Sequence, residues 1–354
     1  MFYTKRCDLN CVRKALSRKV LNIGFLGGSI TEQSAQHNWA DQLSVMLKDA
    51  YPDVELHTQN LAIGATTSML GMMHCIEELQ SNHDLIFIEY AVNDFDMDKD
   101  LRFSAREGLI RRIKAKSNAD IIIVYTYFNK MYPWYAKKTL PDSITDFEII
   151  AQYYQLTSVN MGAYAFDQMQ RGLLRLDEWL PDGTHPQYRG SVLYAEVLFD
   201  CIKESLEVEP KQTLLQEFEP LCKQNWSDME LLPWSKVVLK GPWIFKETFD
   251  KWIHEFLYTS SLQASLSFHT HGRVVLLGTM YGVPSAELCF RINKGQWQKV
   301  QREKEEWIQG LGWYRVEVLC NMEEACDLEI EVQADHDLND IGSITMITRI
   351  AVVK

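Results

Sequence analysis

The chain has 354 residues, more than most single domains contain, so two domains are expected. Hydrophobic residues make up 46% and charged residues 24%, which is the balance of a folded globular protein and excludes a largely disordered one. The formal net charge of −12 would repel a polyanion, so no nucleic acid is expected as a partner.

The first 19 residues are basic but lack the pattern of a secretory signal, since charges recur up to Lys19 and the apolar run that follows is short. A short amphipathic helix packed on the domain is the simplest interpretation of this segment. No apolar stretch has the length of a membrane span. The eight cysteines form neither a CxxC pair nor a zinc-type spacing, which fits an intracellular protein, and we expect a cytoplasmic location.

Short apolar runs alternate with helical patterns in the first half of the chain. Strands are predicted at 20–26, 54–61, 84–91 and 119–127, with a fifth near 161–166. Helices are predicted at 39–50, 69–79, 103–115 and 187–206. This alternation is typical of an α/β protein with a parallel sheet that helices cover on both faces.

The pattern changes after residue 206. Three prolines and many charges between 207 and 236 indicate a connecting segment. From 237 to 354 the helical period disappears, and short alternating or β-branched runs are separated by glycines. We therefore predict a first domain at 1–206, a linker at 207–236 and an antiparallel β-sandwich at 237–354. The sandwich runs are 262–268, 273–277, 286–292, 313–318, 328–332 and 344–353.

Ser29 follows the first predicted strand in the sequence Gly-Gly-Ser-Ile-Thr. The glycines permit a tight turn that would leave the hydroxyl exposed near a helix N-terminus. The turn is neither a G-x-S-x-G elbow nor a G-x-G-x-x-G dinucleotide fingerprint. Taken alone, Ser29 is better explained as a helix N-cap after a glycine turn.

The loops after the second and third predicted strands each hold a possible donor to an anion. Gly64, in NLAIGATTS, can offer an unhindered backbone N–H, although a plain loop glycine explains it equally well. Asn93, in YAVND, can donate a hydrogen bond to a developing oxyanion, although Asn also ends strands in Asx-turns.

Asp182 and His185 lie three residues apart in DGTHP, just before the last helix of the first domain. Around a turn both side chains can face the same way, so the carboxylate can orient the imidazole and leave its other nitrogen free as a base. Because functional groups gather beyond the carboxyl ends of parallel strands, all four blocks are expected at one edge of the sheet.

Together the blocks GGSIT, NLAIGATTS, YAVND and DGTHP resemble the SGNH (GDSL-type) hydrolases over roughly residues 20–205. The resemblance implies a three-layer α/β/α, flavodoxin-like fold. It also implies that Ser29 is the nucleophile, His185 its base and Asp182 the partner of that base. The oxyanion donors would be the N–H groups of Ser29 and Gly64 and the side chain of Asn93. The motifs GGSIT and AVND resemble those of a branch of this family that contains carbohydrate and polysaccharide esterases.

Aromatic residues are concentrated after the fourth predicted strand and again just before Asp182. Such rings could form a wall for a sugar, or they could simply pack the loop onto the domain. The candidates for substrate contact are Tyr132, Trp134, Tyr135 and Trp179.

Other motifs give weaker signals. Aspartates alternate in NDFDMDKD, but Lys99 and Ala105 stand where an EF-hand needs Gly and Glu. The histidines at 37, 57, 74 and 83 lack metal-ligand spacing, and the chain has no P-loop. Neither a metal nor an organic cofactor is expected.

The sequence thus predicts an esterase that removes short acyl groups, acetyl above all, from oxygen of a carbohydrate through an acyl-enzyme on Ser29. Its partner would be a small-molecule or polysaccharide ester. Two alternatives remain: an O-acyltransferase that uses the same triad, and a non-enzymatic carbohydrate-binding protein.

Overall fold

The structure is a computed structural model that describes residues 2–32, 38–210, 218–248, 252–300, 302, 307–308, 310–335 and 342–354. The chain divides into two compact units, Met1–Asn225 and Trp226–Lys354. In the described ranges no helix is long and apolar enough to cross a membrane.

The first unit is built on a six-stranded sheet in the order β1-β6-β5-β4-β2-β3. All neighbours are parallel except the short β1, which runs antiparallel to β6. The central strands are apolar on both faces, and every residue of β4 is buried, as expected of a sheet covered by helices. The strands are β1 Tyr3–Thr4, β2 Val20–Gly27, β3 Glu55–Asn60, β4 Leu85–Glu89, β5 Asp120–Tyr125 and β6 Thr157–Asn160.

Ten helices surround this sheet in the described part of the first unit. They are α1 Asn10–Ser17, α2 Ser29–Glu32, α3 Trp39–Ala50, α4 Ser68–Glu78, α5 Lys99–Lys116, α6 Tyr132–Ala136, α7 Asp142–Tyr153, α8 Met161–Gln170, α9 Leu176–Trp179 and α10 Tyr188–Glu207. Helices α3, α8 and α10 pack together, and α4 packs with α5, which in turn contacts α7. These two groups are the outer layers of the predicted α/β/α fold. The predicted N-terminal helix is present as α1.

One strand prediction is wrong. The apolar run near 161–166 is the start of α8, and the preceding segment Thr157–Asn160 forms the strand. Asn160 caps α8, because its side chain accepts a hydrogen bond from the N–H of Ala163 at 2.8 Å. The strand has only four residues and a helix follows it directly, so its apolar pattern is too short to identify it from the sequence.

The second unit is a nine-stranded antiparallel sheet whose central path is β13-β12-β14-β11-β15-β10-β9, with β7 paired to β15 and β8 to β11. Its core draws on both ends of the two longest strands, for example Phe268 and Leu277 of β11 and Leu319 and Ile330 of β14. The strands are β7 Glu230–Leu231, β8 Val237–Lys240, β9 Ile244–Glu247, β10 Glu255–Thr259, β11 Ser265–Gly282, β12 Leu288–Ile292, β13 Gln298–Lys299, β14 Leu311–Ala334 and β15 Thr345–Val353.

Runs that the sequence analysis separated belong to single long strands in this unit. The predicted strands 262–268 and 273–277 lie mostly within β11, and 313–318 and 328–332 lie within β14. The register of β11 on β14 breaks between Gly272 and Val274. A Cβ on Gly272 would come within 2.4 Å of Cγ1 of Val352 and 2.7 Å of the carbonyl oxygen of Val353, so this glycine allows β15 to approach closely at the irregularity.

Part of the predicted linker is held by the first unit. The buried carboxylate of Glu107 accepts hydrogen bonds from the N–H groups of Leu221 and Cys222, each at 2.6 Å. Residues 211–217 lie outside the described residues, and the proposed boundaries at 206 and 236 stay predictions.

Candidate active site

Ser29 lies immediately beyond the carboxyl end of β2 and begins α2. The carbonyl of Gly28 accepts hydrogen bonds from the N–H groups of Thr31 and Glu32, at 3.1 and 2.9 Å, and these bonds form the turn. Ser29 is partly exposed while its neighbours Gly28 and Ile30 are buried. The turn therefore presents the hydroxyl at the surface of the unit.

The structure brings Ser29, His185 and Asp182 together. The Oγ of Ser29 lies 2.7 Å from Nε2 of His185, and Nδ1 of His185 lies 2.7 Å from Oδ2 of Asp182. The second carboxylate oxygen of Asp182 accepts the N–H groups of Thr184 and His185, at 2.9 and 2.8 Å. A carboxylate held in this way fixes the orientation of the imidazole, whose second nitrogen faces the serine hydroxyl.

Burial raises the pKa of Asp182, but the hydrogen bonds from the backbone and ring of His185 and from the backbone of Thr184 outweigh it, so the pKa is lowered overall. Asp182 is consequently ionised at neutral pH. An ionised Asp182 can stabilise an imidazolium formed on His185.

Asn93 packs directly against the turn that carries Ser29. A Cβ placed on Gly28 would lie 2.0 Å from Oδ1 of Asn93 and 2.7 Å from its Nδ2. Within the described residues, neither the side chain of Asn93 nor the N–H of Ser29 makes a hydrogen bond. Both groups are therefore available to an oxygen atom of a bound ester.

The third predicted donor is already engaged. The N–H of Gly64 donates to Oε2 of Glu32 at 2.7 Å. Glu32 is the last residue of α2, three positions after Ser29. The sequence analysis did not single out this glutamate, because its contact depends on the path of the loop that follows β3.

Two of the four residues predicted to contact the substrate are buried. Trp179 is fully buried and stacks on Tyr127, with its Nε1 donating to the hydroxyl of Tyr194 at 3.3 Å. Tyr135 is also buried, and its hydroxyl donates to Asn160 at 3.0 Å. These rings pack the loop onto the domain.

The other two aromatic candidates remain accessible. Tyr132 is 52% exposed, and Trp134 is half-buried in an edge-to-face contact with Phe95. Phe128 contacts the same ring of Phe95. We call Phe95, Phe128 and Trp134 the aromatic cluster.

The aromatic cluster lies on segments connected to the loops of Asn93 and Asp182. Phe95 is two residues from Asn93, and the residue after Phe128, Asn129, donates its N–H to the carbonyl of Gly183 at 2.8 Å. Sequence reasoning missed Phe95 and Phe128. Their positions next to YAVND and at the end of a strand were the available signals.

Buried acidic side chains stabilise the loops that carry Ser29 and Asn93. Glu89, at the end of β4, accepts hydrogen bonds from Thr126 (2.8 Å), Thr31 (3.1 Å) and the N–H of Gly28 (3.4 Å). Burial raises the pKa of this carboxyl group, and the three hydrogen bonds oppose that rise. Glu89 thus contacts the chain on both sides of Ser29.

Asp94 connects two further loops. It forms a fully buried ion pair with Arg106 at 2.8 Å, and its other oxygen accepts the N–H of Ser68 at 2.9 Å. Because Asp94 follows Asn93 and Ser68 begins α4, the hydrogen bond from Ser68 links the loop of Asn93 to the loop that contains Gly64.

Two other aspartates of NDFDMDKD also accept bonds from the protein. Asp98 accepts the N–H groups of Asp100 and Leu101, which caps α5, and Asp96 pairs with Lys130 at 3.2 Å. In the described part of the chain, no group of three or more His, Cys, Asp or Glu residues is arranged to hold a metal ion.

Comparison with known proteins gives a family match and two similar solved structures. The family described as "GDSL-like Lipase/Acylhydrolase family" matches residues 25–193, a segment that contains all four sequence blocks. Residues 25–193 therefore resemble a GDSL-like lipase/acylhydrolase domain. The enzyme therefore belongs to the hydrolases that act on ester bonds.

Two solved structures resemble this chain along almost its whole length. A two-domain esterase (CEX) active on acetylated mannans matches with a TM-score of 0.83 and 21% identity, over 97% of this chain and 95% of the other. The same esterase co-crystallised with mannopentaose matches with a TM-score of 0.81 and 20% identity, over 98% and 95%. At this identity the likeness establishes the two-domain fold. Among curated proteins, none matches this sequence significantly.

Proposed function

We propose that this hydrolase removes acetyl groups from the hydroxyl oxygens of a carbohydrate through an acyl-enzyme on Ser29. The observation that carries the proposal is the continuous chain of hydrogen bonds from Asp182 through His185 to the Oγ of Ser29. A serine hydroxyl is a weak nucleophile at neutral pH and needs an adjacent, oriented base of this kind.

The reaction follows from the positions of these atoms. Nε2 of His185 accepts the proton of the Ser29 hydroxyl as Oγ attacks the ester carbonyl. The N–H of Ser29 and the amide of Asn93 donate to the oxyanion of the tetrahedral intermediate. His185 then protonates the departing sugar oxygen. Water repeats the sequence on the acetyl-enzyme, releasing acetate and restoring the hydroxyl.

Two observations support a carbohydrate ester as the substrate. The aromatic cluster offers partly exposed ring surface beside the loop of the triad, and rings of this kind line sites for sugars and other partly apolar ligands. The structurally similar esterase is described as active on acetylated mannans. We extend that substrate class to this chain as part of the proposal.

Release of acetate from an acetylated manno-oligosaccharide by the purified full chain tests the function. The wild type should release acetate, and Ser29→Ala should not. Ser44→Ala is a matched control, because the hydroxyl of Ser44 only bonds the carbonyl of Ala40 on α3. Hydrolysis of p-nitrophenyl acetate without any release from the saccharide would retain the esterase and reject the carbohydrate.

Trp134→Ala tests the proposed role of the aromatic cluster. Removal of the ring should raise KM for the acetylated oligosaccharide about tenfold and leave p-nitrophenyl acetate, which lacks a sugar, nearly unaffected. Equal effects on both substrates would show that Trp134 supports the fold of the site instead of binding the sugar.

A further inference from the structure

Asn129 is a polar residue that the reaction proposed above leaves without a role. It lies shortly after the carboxyl end of β5 and begins one turn of 3₁₀ helix, Asn129–Met131. In the sheet, β5 neighbours β4, the strand that leads to Asn93, and β4 neighbours β2, the strand that leads to Ser29. Asn129 therefore lies at the edge of the sheet where the catalytic groups gather.

The backbone of Asn129 is fixed against the turn that carries Asp182 and His185. Its N–H donates to the carbonyl of Gly183 at 2.8 Å, and its carbonyl accepts the N–H of Tyr132. Gly183 lies between Asp182 and His185 and has a φ of +82°, a conformation that favours glycine. The position of Asn129 beside the catalytic turn is therefore set by the backbone.

The side chain of Asn129 lies over the α-carbon of Gly183 and is exposed. A Cβ built on Gly183 would lie 2.7 Å from Nδ2 of Asn129 and 3.2 Å from its Cγ. Among the residues that the structure describes, the amide group makes no hydrogen bond. Its two N–H bonds and its oxygen are therefore open to a ligand.

The positions of the catalytic groups define which part of an ester lies near Asn129. The N–H of Ser29 and the amide of Asn93 hold the carbonyl oxygen, whereas His185 protonates the departing oxygen of the alcohol. The alcohol therefore lies on the His185 side of Ser29, toward the turn that Asn129 contacts. The residue before Asn129 is Phe128 of the aromatic cluster, so ring surface and a free amide adjoin each other, as a sugar with apolar faces and hydroxyl groups requires.

Building on the carbohydrate esterase function proposed above, we propose that Asn129 is a specificity-determining residue that binds a free hydroxyl of the acetylated sugar. A sugar hydroxyl both donates and accepts hydrogen bonds, and a carboxamide can pair with it in either sense. An ester whose alcohol carries no hydroxyl, such as p-nitrophenyl acetate, cannot make this contact. Asn129 thus favours carbohydrate esters through an interaction that small esters lack.

Asn129→Ala removes the amide and keeps the backbone N–H that bonds Gly183. The ratio of kcat/KM for an acetylated manno-oligosaccharide to kcat/KM for p-nitrophenyl acetate should fall about fivefold, as expected for the loss of one neutral hydrogen bond. The change should come mainly from a higher KM for the saccharide. Asn129→Gln, which keeps an amide, should recover part of the ratio. Asn118→Ala is the matched control, because Asn118 is an exposed asparagine before the opposite end of β5, and it should leave the ratio unchanged.

Inhibition of p-nitrophenyl acetate hydrolysis by an unacetylated manno-oligosaccharide measures sugar binding without turnover of a sugar ester. The inhibition constant should be about fivefold higher for Asn129→Ala than for wild type. An unchanged inhibition constant, or an equal loss of kcat on both esters, would overturn the role proposed for Asn129 and leave it as a support of the Gly183 turn. Wild type that hydrolyses p-nitrophenyl acetate, releases no acetate from the saccharide and is not inhibited by the unacetylated form would instead reject the carbohydrate function, and the role of Asn129 with it.

Discussion

The side chain of Asn93 lies so close to the α-carbon of Gly28 that no Cβ fits between them, since its Oδ1 would be 2.0 Å away. The amide is thereby seated beside the N–H of Ser29, the residue after Gly28. The proposed oxyanion donors follow different strands of the sheet, β2 and β4, and the absence of a side chain at Gly28 lets them approach.

Asn93→Ala should lower kcat by about 10²–10³ with little change in KM, because the lost hydrogen bond forms fully only in the transition state. Asn93→Asp should be at least as harmful, because a carboxylate cannot donate and would repel the oxyanion. Steady-state kinetics on p-nitrophenyl acetate measure both effects. Asn118→Asp, the same change at an exposed residue, is the matched control. Wild-type kcat in Asn93→Asp would leave Asn93 with only a turn-forming role.

Glu89 should act as a positioning residue for the nucleophile turn. Glu89→Met keeps the side-chain volume but removes the carboxylate that accepts hydrogen bonds from Gly28, Thr31 and Thr126. We therefore expect kcat to fall at least tenfold while KM stays nearly constant. Glu89→Gln keeps one carbonyl oxygen for Gly28 and Thr31, and its amide can donate to Thr126, so most of the rate should return.

Glu107→Met is the control for this comparison, because Glu107 is also fully buried and accepts bonds from Tyr154, Leu221 and Cys222, away from Ser29. It should lower the melting temperature without lowering kcat. Equal loss of kcat in the Glu107 and Glu89 variants would mean that Glu89 acts only through general stability.

Asp120 should make stability depend on pH. Burial raises its pKa from 3.8 to about 6, although the N–H groups of Val12 and Cys11 oppose the shift. Between pH 3.8 and about 6, the folded state therefore keeps a proton on Asp120 that the unfolded state has lost. Binding of this proton stabilises the fold, and the stabilisation is lost as pH rises through about 6.

Asp120→Asn removes the buried charge and keeps an oxygen for both N–H groups. The variant should melt above the wild type at pH 8, and the difference should vanish near pH 4. Thermal unfolding across this range measures it. A variant that is less stable at pH 8 would show that the ionised carboxylate is the favoured form.

The sequence predicted the parts of the molecule that depend on local pattern. Buried strands such as 20–26 and the helix at 39–50 are found within one residue of their predicted ends, because apolar periodicity and a following Tyr-Pro mark them. The four sequence blocks lie at the carboxyl ends of strands or before the last helix of the first unit. Parallel topology then brings them to one edge of the sheet.

Features that depend on contacts between distant segments were not predictable. Trp179 and Trp134 look equivalent in the sequence, yet only the contacts of Trp179 with Tyr127 and Tyr194 bury it completely. The hydrogen bond between Glu32 and Gly64 likewise joins two loops whose paths no local pattern specifies. The hydrophobic periodicity of one helix or strand carries no information about contacts between distant segments.

The central claim is that His185 activates Ser29 as the nucleophile. Labelling with a fluorophosphonate tests it most directly, since this reagent phosphonylates activated serine hydroxyls and the modified peptide can be identified by mass spectrometry. We predict one label per chain, on the peptide that contains Ser29, lost in Ser29→Ala and strongly slowed in His185→Ala. A label on another serine, or ester hydrolysis by Ser29→Ala at the wild-type rate, would contradict the account.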